Sequence, residues 1–111
     1  MLTTSLHDNW VFSDREPYAE PLFFDENGRV LRFVLKPGPS IQEHKTPHSP
    51  VCSAILAGIG LFSGGDGQEQ RFGPGSLLIF DTGEPHAIRA EAEELVFVAF
   101  LHGVPEAPWH R

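Results

Sequence analysis

The chain has 111 residues, of which 41% are hydrophobic and 21% charged, so it has the size and composition of one globular domain rather than of a disordered segment. Its formal net charge is −7 and its 8 Lys and Arg residues are scattered, which argues against a nucleic-acid-binding surface. No stretch approaches the ~20 consecutive apolar residues of a membrane-spanning helix, and the N-terminus lacks the apolar run of a signal peptide.

Glycine and proline, with 11 and 10 copies, divide the chain into short apolar segments, and no window carries the apolar stripe of a helix. Residues 1–21 are expected to form an N-terminal arm. A first hairpin is then predicted, in which Asn27-Gly28 supplies the positive φ angles of a tight turn before a strand at residues 29–35. From residue 31 onward one face of that strand is apolar, and this face, which carries Leu31, Phe33 and Leu35, is expected to face the core.

The remaining strands are predicted from the turn signals between them. They are residues 51–57, 60–62, 68–72, 76–80, 86–89 and 95–101. The last of these is apolar on both faces, which indicates burial inside a barrel wall or at a subunit interface. The short, regularly spaced strands predict an all-β barrel over residues 22–102, followed by a tail at 103–111. Because a chain this short would expose its sheet edges, we expect closure or pairing, and we predict a homodimer.

Two stretches place glycine and histidine at spacings that resemble a known family. Gly38, His44 and Gly58 match the first cupin motif, which is Gly, five residues, His-x-His, three or four residues, Glu, six residues and Gly. Gly75, Gly83 and His86 match the second, which is Gly, five residues, Pro-x-Gly, two residues, His, three residues and Asn. The chain therefore resembles a small single-domain cupin of the RmlC-like, cupin 2 conserved-barrel type.

This resemblance implies a double-stranded β-helix, or jelly-roll barrel, whose mouth holds a divalent metal on three His and one Glu. Neutral imidazoles suit Fe, Ni, Zn, Cu or Mn. The chain keeps His44 and His86, but Thr46 stands at the second His position and Val51, or Pro50 with the shorter spacing, at the Glu position, so it resembles a cupin subgroup with an incomplete ligand set. His48 lies two residues past Thr46 and is the candidate third ligand if the strand stays extended.

Other residues are candidates for lining or serving the pocket. The expected lining, suited to an apolar or aromatic small molecule, is Thr46, Phe33, Phe80 and Phe97. Thr46 and Ser53 carry hydroxyls that suit hydrogen bonding to a ligand. The candidate acid–base groups are Glu43, Asp81 and Glu84, for which roles in turns or on a solvated face are the competing interpretation.

Two classes of function follow from these residues. The first is a metal-dependent enzyme of dioxygenase or isomerase type, in which His44, His48 and His86 hold the metal. The alternative is a non-catalytic small-molecule-binding or sensor protein without metal, which the missing ligands favour. The fold alone does not decide between them. The single cysteine, Cys52, allows no intramolecular disulfide, so we expect a cytoplasmic protein. From the predicted pocket we expect a small-molecule ligand. From the net charge and the lack of a long apolar stretch we expect no nucleic-acid or membrane partner.

Overall fold

The computed structural model describes residues 1–11, 18–38 and 40–102, with the backbone alone at 18, 40 and 42–44. The described residues form nine strands: β1 (Tyr18–Asp25), β2 (Gly28–Leu35), β3 (Ser40–His44), β4 (Val51–Ala57), β5 (Gly60–Ser63), β6 (Glu69–Phe72), β7 (Leu77–Phe80), β8 (His86–Ala90) and β9 (Leu95–His102). Across these described ranges, none of the secondary structure is a helix that could cross a membrane. β1 begins within the stretch assigned to the N-terminal arm, and the predicted tail at 103–111 lies outside the described residues.

The strands form two antiparallel sheets that face each other. One sheet has five strands in the order β1-β2-β9-β4-β7, and the other has four in the order β3-β8-β5-β6. Strands far apart in sequence, such as β2 and β9 or β3 and β8, are hydrogen-bonded neighbours, so the chain crosses repeatedly between the sheets. This is the jelly-roll arrangement, and the predicted all-β barrel is confirmed.

The apolar core is packed most completely at one end of the barrel. Leu35 and Leu95 pair between β2 and β9, and both side chains are fully buried. Phe62 of the opposite sheet meets Phe97 edge-on, with ring centroids 5.9 Å apart. We call Leu35, Ile55, Phe62 and Leu95 the closed end. β9 is buried on both faces from Leu95 to Ala99, as its doubly apolar sequence predicted.

The turn between β1 and β2 differs from the prediction. Asp25 pairs with Gly28, and its Oδ1 accepts hydrogen bonds from the backbone N–H groups of Asn27 (2.8 Å) and Gly28 (3.0 Å). Neither Asn27 nor Gly28 has a positive φ, so the predicted turn geometry is wrong: the Asp25 side chain closes the turn instead. Gly28 is required for another reason, because a Cβ there would lie 2.8 Å from the carbonyl oxygen of Leu101.

Arg32 joins the N-terminal residues to the outer face of the five-stranded sheet. Its side chain is almost wholly buried, and its guanidinium donates to Glu20 Oε1 (2.7 Å) and to the carbonyl oxygen of Ser5 (2.9 Å). Trp10 Nε1 donates to the carbonyl oxygen of Leu6 (2.9 Å), which closes a turn within the same segment. Part of the predicted arm is therefore fixed against β2 by charge-assisted hydrogen bonds.

Candidate functional site

A cavity of about 260 Å³ lies inside the barrel, away from the closed end. Its lining is Ala19, Arg29, Leu31, Phe33, Ile41, Thr46, Val51, Ser53, His86, Ile88, Phe97, Ala99 and Leu101. We call this space the barrel cavity. Arg29 and Leu101 pair with each other at one end of the β2–β9 ladder, and the Leu35–Leu95 pair of the closed end lies at the other. One barrel interior is thus divided into a packed end and a hollow end.

Aromatic rings form the deeper part of the cavity wall. Phe33 on β2 and Phe97 on β9 pair directly, and their rings stack with centroids 4.9 Å apart and planes 8° apart. Both side chains line the barrel cavity. Offset stacking of this kind presents a flat apolar surface, which suits the body of a small hydrophobic molecule.

His86 lies at the start of β8 with its ring held on two sides. The ring stacks on Phe80 with centroids 4.6 Å apart, and Nδ1–H donates to the carbonyl oxygen of Glu84 at 2.9 Å. Because a carbonyl only accepts, this bond places the acceptor lone pair of a neutral imidazole on Nε2. His86 is buried and lines the barrel cavity, whereas Phe80 supports its ring without lining that cavity.

The first-motif candidates are His44, Thr46 and His48, and the structure places them in different positions relative to the barrel cavity. The backbone of His44 pairs directly with that of His86, across a register irregularity between Ile41 and His44. Thr46 is half-buried and lines the barrel cavity, and its carbonyl oxygen accepts a hydrogen bond from Gly83 N–H (2.9 Å). β3 ends at His44, and the chain then turns at residues 47–49. The structure therefore does not bring His48 to the barrel cavity: strand alternation does not extend to it, and its side chain is exposed.

Arg29 is a cavity residue that the sequence analysis did not identify. It lies at the start of β2, on the same face as Leu31 and Phe33, with its Nε atom buried, and it lines the barrel cavity. Burial lowers the pKa of its guanidinium, because removal from water disfavours the charged form. The signal was present in the sequence, since extending the Leu35–Phe33–Leu31 alternation by two residues places Arg29 inside the barrel.

Ser53 supplies a hydroxyl within the apolar wall. It lies on β4 between Ala99 of β9 and Leu78 of β7, with no exposed surface. Its Oγ has no hydrogen-bond partner among the described residues. Leaving a buried polar group unpaired costs about 1–3 kcal/mol, so this hydroxyl is an unfavourable choice for packing alone.

The loops beside His86 are connected by the carboxylate of Glu84. Its oxygens accept hydrogen bonds from the backbone N–H groups of Gly65 (2.7 Å) and Asp81 (2.8 Å). These two bonds, that from Gly65 first, hold the pKa of Glu84 below its ordinary value. Of the three candidate acid–base groups, Glu84 thus joins two loops and Asp81 is exposed. The side chain of the third, Glu43, lies outside the described part of the chain.

The described side chains do not fit the four-ligand metal centre that the motif resemblance implies. The bond from His86 Nδ1–H to a carbonyl is the usual way in which a ligating imidazole is oriented. However, among the described residues no group of three or more His, Cys, Asp or Glu side chains is placed to hold a metal ion. The described lining also contains a guanidinium and no carboxylate, which opposes a divalent cation.

Comparisons with known proteins agree with this architecture. The family model described as cupin domain matches residues 31–102. A protein from Thermus thermophilus superposes with a TM-score of 0.88 at 21% identity, over 95% of this chain and 100% of that one. An uncharacterized conserved protein with a double-stranded β-helix domain from Klebsiella pneumoniae gives 0.83 at 20% identity, over 91% and 89%. No curated protein matches this chain in sequence.

A third solved structure, an RmlC-like cupin protein from Desulfovibrio desulfuricans, gives a TM-score of 0.79 at 24% identity, over 90% of this chain and 95% of that one. At these identities the likeness concerns the fold. The four motif glycines Gly38, Gly58, Gly75 and Gly83 all have positive φ in this chain, between 78° and 109°. At Gly58 a Cβ would also collide with the carbonyl oxygen of Glu94. The spacing of the motifs therefore reflects the need for glycine at positions of positive φ, as well as the positions of the family's metal-ligating residues.

Proposed function

This chain belongs to the cupin-domain family, and we propose that it binds a small organic molecule in the barrel cavity without requiring a metal. The observation that carries the proposal is the Ser53 hydroxyl, which is buried in the cavity wall with no described hydrogen-bond partner. A ligand that bonds to this hydroxyl would offset the cost of burying it. The surrounding lining is mainly aliphatic and aromatic, as is usual for small-molecule sites.

The proposal is tested on protein freed of metal with a chelator. A panel of small aromatic and aliphatic compounds is screened by thermal shift against the parent and two variants that add the same volume. Ala99→Leu fills the barrel cavity, whereas Ala54→Leu adds its side chain to the outer face of the same sheet. Compounds that bind in the cavity should raise the Tm of the parent and of Ala54→Leu but not of Ala99→Leu.

A panel that leaves the Tm of the parent unchanged would overturn the proposal, as would equal responses in both variants. The far-ultraviolet circular dichroism of each variant shows that it is folded before ligands are added. If the Tm of ligand-free Ala99→Leu is within a few degrees of the parent's, the lack of a ligand-induced rise in its Tm is due to the filled cavity.

Metal binding by His44, His48 and His86 stays a prediction and is the second candidate. It is favoured by the carbonyl-bound Nδ1 of His86 and by the backbone pairing of His44 with His86. Elemental analysis of untagged protein prepared without chelator tests it, beside the His44→Ala/His86→Ala double variant. Near-stoichiometric Fe, Ni, Zn, Cu or Mn in the parent alone would establish a metal-dependent protein, overturn the metal-free proposal, and justify dioxygenase and isomerase screens.

A homodimer, predicted from the sequence, remains part of the proposal. An apolar stripe crosses all strands of the five-stranded sheet on its outer face, and we call it the outer stripe. Following the register from β1 to β7, it is Phe23, Val30, Phe100, Cys52 and Ile79. Phe23, Phe100 and Ile79 are 43%, 45% and 61% exposed. A contiguous apolar strip of this kind is typical of an interface, and a second copy presents the same strip.

Light scattering at micromolar concentration tests this pairing, and a monomer would contradict it. Phe100→Asp should convert the dimer to a monomer, because it places a charge at the centre of the outer stripe. Ile59→Asp is the control, since Ile59 is 38% exposed but lies outside the stripe.

A cytoplasmic location, suggested by the single cysteine, is likewise a proposal, which microscopy of a tagged chain in its host would test.

A further inference from the structure

We propose that the ligand of the barrel cavity is a small organic anion, with a carboxylate bound at Arg29 and an apolar body against Phe33 and Phe97. This inference rests on the proposed function and specifies its ligand class. It follows from three properties of the cavity: the charge of its lining, the order of polar and apolar groups along its depth, and its volume.

The first property is charge. Among the described lining residues, Arg29 is the one that carries a formal charge, and it is a cation. A guanidinium has five N–H donors in a planar array that matches a carboxylate, so it can serve a ligand alongside other contacts. The residue is half-buried with its Nε atom buried, and it lines the cavity, so its guanidinium borders the space in which an anionic ligand would lie.

The second property is the order of groups along the cavity. On the five-stranded sheet, Arg29 faces Leu101 in one cross-strand row, and Ser53 and Ala99 follow in the next row. Phe33 and Phe97 form the row after that. A cation, a hydroxyl and an aromatic pair thus follow one another in steps of two residues along each strand. The arrangement is that of an amphiphilic ligand whose charged head lies at Arg29.

The second sheet repeats this gradient. On β8, His86 precedes Ile88 by two residues, and both line the cavity. Ile88 pairs with Phe62 of the closed end, and Phe62 packs on the cavity residue Phe97. His86 is therefore on the Arg29 side of the cavity, and Ile88 is on the side of the aromatic pair. On both sheets, therefore, the polar lining groups lie on the side of the cavity away from the closed end, where the head of the ligand would lie.

The third property is size. A volume of about 260 Å³ corresponds to roughly nine water-sized groups at ~30 Å³ each. This accommodates a monocarboxylate with a single ring or a short branched chain, and is too small for a nucleotide. Benzoate has nine non-hydrogen atoms, a flat apolar body and one carboxylate. It is the probe for the test, with benzamide as its neutral counterpart of the same shape.

The net charge of the protein is −7, which disfavours the binding of an anion. At long range the protein as a whole repels anions. A preference for benzoate over benzamide would therefore have to arise locally, from the cavity itself. The matched control for Arg29→Gln is Arg71→Gln, which removes the same charge from a side chain that is 65% exposed and paired with Glu91 outside the cavity.

Isothermal titration of the metal-free protein with both probes tests the inference. We expect benzoate to bind the parent about tenfold or more tightly than benzamide, because a hydrogen bond to a charged group contributes about one such factor or more. Arg29→Gln should abolish this preference while keeping the affinity for benzamide, which shows that the cavity has stayed intact. Arg71→Gln should keep the preference.

The other outcomes separate the two proposals. Equal binding of benzoate and benzamide by the parent, or a benzoate preference that survives Arg29→Gln, would overturn the anion inference and leave the metal-free binding proposal standing. A parent that binds neither probe, together with a thermal-shift panel without hits, would overturn both.

Discussion

The two ends of the barrel interior are built from the same strands but differ in what they contain. At the closed end, Leu35 and Leu95 are fully buried, and Ile55 and Phe62 complete a wholly apolar contact. Six residues further along β2 and β9, the same ladder borders a cavity whose wall contains a guanidinium and a hydroxyl that has no partner among the described residues. Close packing stabilises a fold, whereas a hollow with buried polar groups destabilises it. The closed end therefore stabilises the fold, and the hollow end is where the proposed ligand would bind.

The surroundings of the cavity support this division. The loops beside His86 are joined by polar contacts to the backbone, from the Glu84 carboxylate to Gly65 and Asp81 and from Gly83 to Thr46. Contacts of this kind hold loops in place with little apolar burial. The mouth can therefore be positioned without filling the space behind it.

The largest difference between the two ends should appear on truncation of matched leucines. Leu35→Ala should lower the free energy of unfolding by about 3 kcal/mol, because it opens a void in a packed core. Leu101→Ala should cost only about 1–2 kcal/mol, because its side chain already borders the cavity and the added space can admit water. Urea unfolding of both variants measures the difference, and equal losses would contradict the division of the barrel.

A smaller effect, of opposite sign, is expected at Ser53. Ser53→Ala should raise the free energy of unfolding by about 1 kcal/mol, because it removes a buried hydroxyl that has no described partner. Thermal and urea unfolding of the ligand-free protein measure this. A loss of stability would mean that the hydroxyl is satisfied within the folded protein, and the observation that carries the proposed function would be withdrawn.

The smallest effect concerns Glu84 and depends on pH. Its folded-state pKa is lowered, so the folded protein binds fewer protons there than the unfolded chain, and the carboxylate stabilises the fold above the ordinary Glu pKa of about 4.3. Glu84→Gln should therefore cost at most about 1 kcal/mol at pH 7, since the group is partly exposed. The difference from the parent should shrink as the pH falls below about 4.3. A difference that is constant from pH 7 to pH 3 would show that the charge is not responsible.

Much of the fold was predictable because turns and alternation leave clear signals. The strands of the barrel after residue 50 were predicted within a few residues, and the doubly apolar β9 is indeed buried on both faces. β3 was missed because Ile41 is its one apolar residue, and alternation cannot be recognised in Ser-Ile-Gln-Glu-His. The first turn was misassigned because Asn-Gly outweighed Asp25, whose side chain closes the turn.

Less of the candidate site than of the fold could be predicted from the sequence. Motif spacing located His86 and Thr46 at the cavity, and composition suggested Phe33 and Phe97. Arg29 was passed over because a charged residue at the start of a strand is ordinarily solvated. Whether such a residue faces a core or a hollow depends on the packing of the opposite sheet, which no local pattern records.

One measurement tests the division of the barrel most directly: a methyl-resolved nuclear magnetic resonance titration of the metal-free protein with benzoate. We expect shifts concentrated in the cavity methyls of Leu31, Val51, Ile88 and Leu101, with the closed-end methyls of Leu35, Ile55 and Leu95 little changed. Shifts confined to the outer stripe, or no saturable shifts at any of these methyls, would contradict the claim that the hollow end of the barrel is the binding site.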